Sequence, residues 1–326
     1  MLSRRFLRLK ALQEIYAYHQ SKESDLSKAE RHLLESVDNL YELFVYQLSF
    51  WVELKRFAER RIEENRNKHF PTEEDLNPNL KFVNNQVINA LEDNRHLLAL
   101  EDKYKINWIN LKEDFIRAVY GKLIELPEYQ EYMNNGKQSF QDDRNFLVDI
   151  TDKYMAENGF LYDFYSDQKL SFNSDYQLSV YLLWRFLVDL PQDFNADSKL
   201  PPVYNETRDG CYDEEFVVKL FEKTILKASQ YRELVKANIS NWDYDRLALM
   251  DKIIIFMAMT EFCEFHFIPV KVTINEYIEI SKIYSTPESR RFVNGMLDKL
   301  VEVLKEEGKV VKTGIGLIDN NKRAIQ

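Results

Sequence analysis

Apolar residues recur every three or four positions along most of this chain, which is the spacing of one face of an α-helix. The pattern predicts helices over 3–19, 29–66, 80–100, 111–126, 177–190, 214–237, 246–266 and 272–284. The range 246–266 is apolar on nearly all sides, which predicts a helix at the centre of a bundle. A last helix is expected to begin at Thr286-Pro287-Glu288, an N-cap residue, a first-turn proline and an acid, and to stop at Gly308.

Turn-forming residues mark where this helical pattern is interrupted. Two prolines fall within 70–78, and Asn-Gly pairs occur at Asn135-Gly136 and Asn158-Gly159. The range 191–212 contains three prolines and a glycine, so we interpret it as a linker. The tail, 309–326, offers little apolar surface to pack and is expected to be loose.

Composition supports a helical protein. Glycine and proline together account for only 16 of the 326 residues, too few for a glycine-rich sandwich, barrel or Rossmann unit. Apolar residues make up 45% and charged residues 30%, as in folded soluble proteins. The sequence therefore predicts an all-α fold, and its length suggests two or three domains.

Charge is distributed unevenly along the chain. The net charge is −10, and the range 21–205 alone carries 22 basic and 33 acidic residues, a net of −11. The remaining residues sum to +1, with basic residues concentrated at Arg4, Arg5, Arg8 and Lys10 and at Arg290 and Arg291. Acidity over the whole chain argues against a general nucleic-acid coat, but the net charge averages over segments that differ.

The residues that mark a cellular compartment are few. Cys211 and Cys263 are the only cysteines, which gives no disulfide framework and favours a reducing compartment. The longest strongly apolar run, Ile253 to Met259, is far shorter than the ~20 residues that span a bilayer. No secretory signal is recognisable at the N-terminus, so we expect a cytoplasmic protein that does not enter a membrane.

No pattern typical of catalysis is present. The sequence has neither a glycine-rich phosphate loop nor a nucleophile elbow nor an HExxH helix. The best metal candidate is the group Glu261, Cys263, Glu264 and His266, but its two pairs lie on different faces of one helix. A helix end with a buried cysteine and a polar rim explains it more simply. We therefore predict that the protein is not an enzyme and has no metal and no cofactor.

One constellation in the last third is specific. It reads Pro269-Val270-Lys271-Val272-Thr273-Ile274-Asn275-Glu276-Tyr277-Ile278-Glu279, and then Ser289-Arg290-Arg291-Phe292-Val293-Asn294-Gly295-Met296-Leu297-Asp298-Lys299. This resembles the signature of the NusB family of bacterial transcription antitermination factors, a P-x-K-V-x-I-N-E-x-I-E helix followed by an S-x-x-F-V-N-G-x-L-D-K helix. Ala258–Phe262 and the N-terminal Arg4-Arg5-x-x-Arg8 with Ala11, Gln13 and Tyr16 resemble further family segments.

The resemblance implies a domain organisation. The family fold is a small all-helical bundle, which here would consist of a first helix and basic arm at 1–20 and a main core at 206–308. The acidic range 21–205 would then be a large helical insertion after the first helix, and 309–326 a loose tail.

The resemblance also implies a function. NusB-like proteins bind the single-stranded RNA element boxA together with the small-subunit ribosomal protein NusE, and act with the RNA polymerase elongation complex on ribosomal RNA operons. The residues implied in RNA binding are Arg4, Arg5, Arg8, Lys10, Glu288, Arg290, Arg291 and Phe292, and those implied in NusE binding are Tyr16 and Glu261. Phe6 and Leu9 stand where the family often has Arg and Glu, so the basic patch is thinner here.

Each of these residues also has a structural explanation. Glu288 could simply stabilise a helix N-terminus, Phe292 could pack in the core, and Tyr16 could pack with its hydroxyl at the rim. Glu261 lies in a near-apolar helix, so it must pair internally or meet a partner chain, and the resemblance favours the partner. The alternative to antitermination is a helical interaction scaffold that kept the NusB-like core and lost RNA binding. An RNA methyltransferase is disfavoured, because no glycine-rich strand–loop–helix follows residue 306.

Overall fold

The computed structural model describes residues 4–21, 25–108, 113–205, 212–239 and 243–323, with side chains to residue 318. These residues form fifteen α-helices and no β-strand, so the predicted all-α fold is confirmed. The helices are α1 Arg4–Ser21, α2 Leu26–Arg66, α3 Glu73–Leu76, α4 Gln86–Glu92, α5 Arg95–Tyr104, α6 Glu113–Leu123, α7 Pro127–Asn134, α8 Phe140–Ile150, α9 Gly159–Gln168, α10 Leu170–Val188, α11 Asp213–Leu226, α12 Ala228–Asn238, α13 Leu249–Glu264, α14 Val270–Tyr284 and α15 Pro287–Glu306. A π-helical turn spans Thr151–Met155, and 3₁₀ segments span Tyr244–Arg246 and Gly314–Arg323. None of the helices described is long and apolar enough to cross a membrane.

The chain divides into two compact units. The first comprises Asp38–Val203, and the second comprises Leu2–Val37 with Tyr204–Gln326. The first unit lies within the expected insertion 21–205, whereas residues 25–37 group with the second unit. The expected boundary at residue 206, like Cys211, lies outside the described residues.

Helix α2 runs for 41 residues because nothing in its sequence interrupts it. The segment contains neither glycine nor proline, and Lys28 N–H donates to the Asp25 carboxylate at 3.0 Å just before the helix begins. Most of its apolar side chains are buried, among them Leu40, Phe44 and Trp51. The helical pattern predicted over 29–66 is thus one continuous helix.

The second unit is built around α13, as the apolar pattern predicted. Every residue from Ile253 to Phe262 is buried, and α13 packs against α1, α11, α14 and α15. Thr286 caps α15 by accepting from Ser289 N–H at 3.2 Å, with Pro287 in the first turn, so the predicted start of this helix is confirmed. Gly308 follows α15 with φ of 68°, the left-handed conformation that glycine adopts most readily after a helix.

Helices α1 and α14 run in the same direction along this bundle. Arg5 is bonded to Glu276 near one end, and Gln13 Nε2 donates to the Tyr284 hydroxyl at 3.1 Å near the other. Both pairs are separated by 271 residues in sequence, so the two helices keep a constant register. The first helix of the chain therefore belongs to the bundle formed by its last third.

Two helices expected to be continuous are divided. The range 80–100 forms α4 and α5 because Asn85 and Asn94 each cap a new helix, with Asn94 Oδ1 accepting from Leu97 N–H at 2.8 Å. Both asparagines are fully buried, so tertiary structure stabilises these caps within an apolar sequence. The range 214–237 divides at Lys227 into α11 and α12, and α12 packs against both α13 and α15.

The tail predicted to be loose makes hydrogen bonds to the end of α13 at residues 311–316. Lys312 Nζ donates to the carbonyl oxygens of Phe265 at 2.8 Å and Glu261 at 3.3 Å, and Thr313 N–H donates to His266 O at 3.0 Å. The end of α13 leaves carbonyl groups without helical donors, and this strap, residues 311–316, supplies donors for them. Hydrogen bonds to backbone carbonyl groups thus position this segment, although its apolar pattern predicted no packing.

Candidate nucleic-acid interface

The centre of the region predicted to bind RNA and NusE is a buried ion pair. Arg8 Nε and Nη2 donate to the two carboxylate oxygens of Glu261, each at 2.7 Å, and both residues are almost inaccessible to solvent. Glu261 also accepts from Thr273 Oγ1 at 2.8 Å and from the Tyr277 hydroxyl at 3.3 Å. Its carboxylate is therefore satisfied by donors from α1 and α14.

The Arg8 guanidinium is surrounded by groups that favour its charge. It lies 5.3 Å from the ring centroid of Phe216 and 6.0 Å from that of Tyr277, within cation–π range. Burial alone lowers the pKa of Arg8, but the Glu261 carboxylate outweighs burial and raises that pKa above its usual range. Arg8 thus stays charged and ties α1 to α13.

Three of the residues predicted to contact RNA or NusE are buried. Arg8 and Lys10 are each 3% exposed, and Glu261 is not exposed at all, so none of the three forms an accessible contact surface. Of the two interpretations of Glu261, internal pairing is the one observed. Arg8 and Lys10 lie on the first turns of α1 and point into the bundle, whereas Glu261 lies on the buried helix α13. The spacing of basic residues alone did not distinguish the inner face of α1 from its outer face.

The other two arginines of the basic arm lie nearer the surface. Arg4 Nε donates to Asp213 Oδ1 at 3.2 Å, and its guanidinium lies 5.0 Å from the Phe216 ring centroid. Arg5 makes a two-pronged pair with Glu276, with N–O distances of 3.0 and 2.8 Å, and 46% of its side chain is exposed. Burial alone raises the pKa of Glu276, but hydrogen bonding from Arg5 and the charge of Arg8 lower it overall.

The second predicted group begins α15. Glu288 and Arg291 are exposed, whereas Arg290 and Phe292 are partly buried. Arg290 Nε is buried and has no hydrogen-bond acceptor among the described residues. The Phe292 side chain, being partly buried, lies at the edge of the bundle rather than in its core or fully on its surface.

The two basic groups lie apart along the bundle. Gln13 contacts Tyr284, three residues before α15 begins, whereas Arg5 contacts Glu276. Eight residues of helix separate Arg5 from Gln13, which is about 12 Å at 1.5 Å per residue. A single strand of nucleic acid that touched both groups would run along this side of α1 and α14.

Tyr16 lies on the outer face of α1. It is 36% exposed, and its hydroxyl accepts from Gln20 Nε2 at 3.0 Å. The side chain is thus accessible to a partner, unlike Glu261. Of the two residues predicted to contact NusE, only Tyr16 is on the surface.

The metal candidates are engaged in other contacts. Glu261 is paired with Arg8, Glu264 with Lys227, and His266 Nδ1 with the Val311 carbonyl oxygen. Burial raises the pKa of the half-buried Cys263 thiol. Within the described part of the chain, no group of three His, Cys, Asp or Glu side chains is arranged to hold a metal ion.

Sequence reasoning missed the acidic partners of the basic arm. Asp213 and Glu276 hold Arg4 and Arg5, and Asp213 is itself buried with Asn205 donating to it at 2.9 Å. Glu276 belonged to the family-like motif but had no assigned role. A chain with basic residues at one end and acids more than 200 positions later gives no sequence signal that they pair.

Comparison with known proteins finds a similarity that falls mostly in the second unit. The NusB family model matches residues 192–302, about a third of the chain. A protein of Salinibacter ruber named transcription antitermination protein NusB is 39% identical to this chain over 104 residues, which is 32% of this chain and 65% of that protein. The protein of the same name from Methylacidiphilum infernorum is 39% identical over 97 residues, which is 30% of this chain and 66% of that protein. The protein of the same name from Chloroherpeton thalassium is 33% identical over 130 residues, 40% of this chain and 56% of that protein.

These matches define how far the likeness extends. The chain spans between a half and two thirds of the length of these relatives, and residues 1–191, including α1, lie outside the family match. No solved structure matched the chain.

Proposed function

We propose that this protein is a transcription antitermination factor that binds boxA-type single-stranded RNA together with NusE, because the NusB family model matches residues 192–302. The observation that carries the proposal is the 39% identity over 104 residues to a protein named transcription antitermination protein NusB. The matched region includes α14 and nearly all of α15, the two helices that carry the family-like motifs. We further propose that the protein acts on ribosomal RNA operons, with the RNA polymerase elongation complex as an indirect partner and without catalysis of its own.

The geometry supports one distribution of roles. Arg5 and Arg291 are exposed, Arg4 and Arg290 are partly exposed, and Arg290 carries a buried N–H without an acceptor among the described residues. These four arginines would contact phosphates or stack on unpaired bases. Glu288 is exposed beside them and would accept hydrogen bonds from base edges rather than contact phosphate.

The buried residues of the predicted site would act through position. The Arg8–Glu261 pair holds α1 against α13 and so fixes Arg4 beside Asp213 and Arg5 beside Glu276. Lys10 is likewise buried on α1, and Phe292 supports the start of α15 from the edge of the bundle. Tyr16, exposed on the outer face of the same helix, would contact NusE.

RNA binding is tested by fluorescence anisotropy with a short labelled boxA-like strand, with and without NusE, over a range of salt. The variants are Arg5→Ala and Arg291→Ala, and the matched control is Arg95→Ala, an exposed arginine of the first unit. Removal of each phosphate contact should weaken binding and reduce the slope of log affinity against log salt by about 0.7.

The expected result is binding that NusE strengthens, that each test variant weakens and that Arg95→Ala leaves unchanged. If the wild-type protein did not bind the RNA even with NusE present, the proposal would be wrong. Equal weakening by all three variants would show that only general charge is involved.

A second candidate function follows from the pairing of the basic arm. Arg4, Arg5 and Arg8 already have carboxylate partners within their own unit, so an RNA phosphate must compete with Asp213 and Glu276. This favours a helical interaction scaffold that kept the NusB-like bundle without RNA binding. The same anisotropy experiment separates the two, because a scaffold shows no boxA binding but retains association with a protein partner.

A further inference from the structure

A surface cavity lies in the first unit, and none of its lining residues belongs to the NusB-family match. It has a volume of about 380 Å³ and is lined by Thr151, Asp152, Ala156, Gln177, Val180, Tyr181 and Trp184. One wall is the π-helical turn that continues α8, and the other is the middle of α10. A π-helical turn widens the helix locally, and such turns are frequent at functional sites.

The cavity wall is held in place by hydrogen bonds within the unit. The Tyr176 hydroxyl donates to Met155 O and Gln177 Nε2 donates to Ala156 O, each at 2.7 Å. Thr151 Oγ1 donates to Leu147 O at 2.7 Å. The carbonyl groups that end the π-helical turn are therefore satisfied by α10, and the cavity is formed before any ligand arrives.

An aromatic stripe borders the cavity on α10. Tyr181 and Trp184 line it with ring centroids 5.8 Å apart, and Val188 continues the same helix face by one turn. Tyr181 is 47% exposed and Val188 38% exposed. This leaves large apolar side chains at the surface of a unit that buries most of its other aromatic residues.

Charge at the cavity is negative. Asp152 is exposed on the lining and forms no ion pair with any described residue. The basic residues next in sequence to the lining residues Asp152 and Trp184 are already paired, Lys153 with Glu128 at 3.2 Å and Arg185 with Asp189 at 3.6 Å. The whole unit, 38–203, has 19 basic and 29 acidic residues.

We propose that this cavity is a docking site for a lysine or arginine side chain presented by a basic polypeptide. The cationic group would lie against the Trp184 ring and the Asp152 carboxylate, since cations bind preferentially over the face of tryptophan. Its aliphatic stem would pack along Val180 and Tyr181. A nucleic acid fits less well, because the carboxylate and the acidic unit repel phosphate.

The proposal is tested on the full chain with two blocked peptides, acetyl-Gly-Leu-Arg-Leu-Gly-amide and the same peptide with citrulline in place of arginine. The readout is the chemical shift of the Trp184 indole N–H in nuclear magnetic resonance spectra. Asp152→Asn and Trp184→Leu are the test variants; for Trp184→Leu, which removes the reporter, binding is followed by isothermal titration calorimetry. Glu157→Gln is the matched control, because it removes an exposed carboxylate of the same segment that does not line the cavity.

We expect the arginine peptide to bind the wild-type protein and the Glu157→Gln variant equally and the citrulline peptide to bind neither. Asp152→Asn and Trp184→Leu should each weaken binding about 5-fold or more, the range of a partly desolvated cation–π or charged contact. Three results would overturn the proposal: equal binding of both peptides, equal weakening by Asp152→Asn and Glu157→Gln, or no indole shift at millimolar peptide. A shift with oligouridylate instead would assign the cavity to RNA.

Discussion

Replacing Glu261 by glutamine tests whether the buried ion pair holds α1 on the bundle. The substitution keeps the shape of the side chain but turns one acceptor oxygen into an NH₂ group that faces an Arg8 N–H. The Arg8 guanidinium then stays buried with only one acceptor oxygen on residue 261. Removing one partner of a buried pair costs about 3–5 kcal/mol. The carboxylate of Glu276, 3.5 Å from Arg8, compensates in part, so we expect a decrease in stability of about 3 kcal/mol.

Helix α1 offers a matched control at Arg5, one turn before Arg8. Arg5 makes a two-pronged pair with Glu276 of similar geometry, but 46% of its side chain is exposed. An exposed pair contributes about 0–1 kcal/mol because water competes for both charges. Arg5→Met should therefore change stability far less than Glu261→Gln.

The assay is native-state hydrogen exchange of the α13 amides at neutral pH, read by mass spectrometry. It reports on the second unit alone, which matters because a protein with two units need not unfold in one step. A decrease of about 3 kcal/mol corresponds to roughly 150-fold faster exchange, and a decrease below 1 kcal/mol to less than about 5-fold. Similar acceleration by both variants would refute the reasoning that burial distinguishes the two pairs.

Three further outcomes are expected from the second unit. Arg5 and Arg8 lower the pKa of Glu276, so its ion pairs stabilise the fold above the ordinary pKa of 4.5 and are lost as pH falls below that value. The difference in melting temperature between wild type and Glu276→Gln should therefore shrink in acid, and a difference that grows in acid would contradict this. Burial lowers the pKa of Lys312 to about 8, so the folded state disfavours the charge of this side chain. The wild-type protein should therefore gain stability relative to Lys312→Met as pH rises from 8 toward 10.5. Parallel pH profiles of stability for the two proteins would contradict this expectation. Gly316→Ala would place a Cβ 2.1 Å from His266 O, so the strap should detach and limited proteolysis should cut it faster, and an unchanged cleavage rate would show that the strap is not seated there.

Local signals in the sequence predicted much of the fold. Helical spacing placed α1, α2, α13, α14 and α15, and Thr286-Pro287 marked the start of α15. The division of the range 80–100 into two helices was not predicted, because its apolar pattern continues on both sides of Asn94. Only the tertiary structure makes Asn94 the N-cap of a new helix. The strap was missed for a related reason, since it is held by backbone carbonyl groups that no side-chain pattern records.

The candidate site was predictable in part. Arg4, Arg5, Arg290 and Arg291 stood out as basic clusters in an acidic chain, and their side chains are exposed or partly exposed. Arg8 and Glu261 were assigned to different partners, although they bind each other across 253 residues. Such a pairing depends on how distant helices pack, which a single sequence does not encode in any local pattern.

The most direct test of the proposed function is transcription itself. Single-round transcription through a terminator is measured with purified polymerase and NusE, on templates with boxA or a scrambled boxA, with and without this protein. Antitermination predicts that the protein increases read-through on the boxA template alone, and that Arg5→Ala reduces the effect. Equal read-through on both templates, or none with the wild-type protein, would contradict the proposed function.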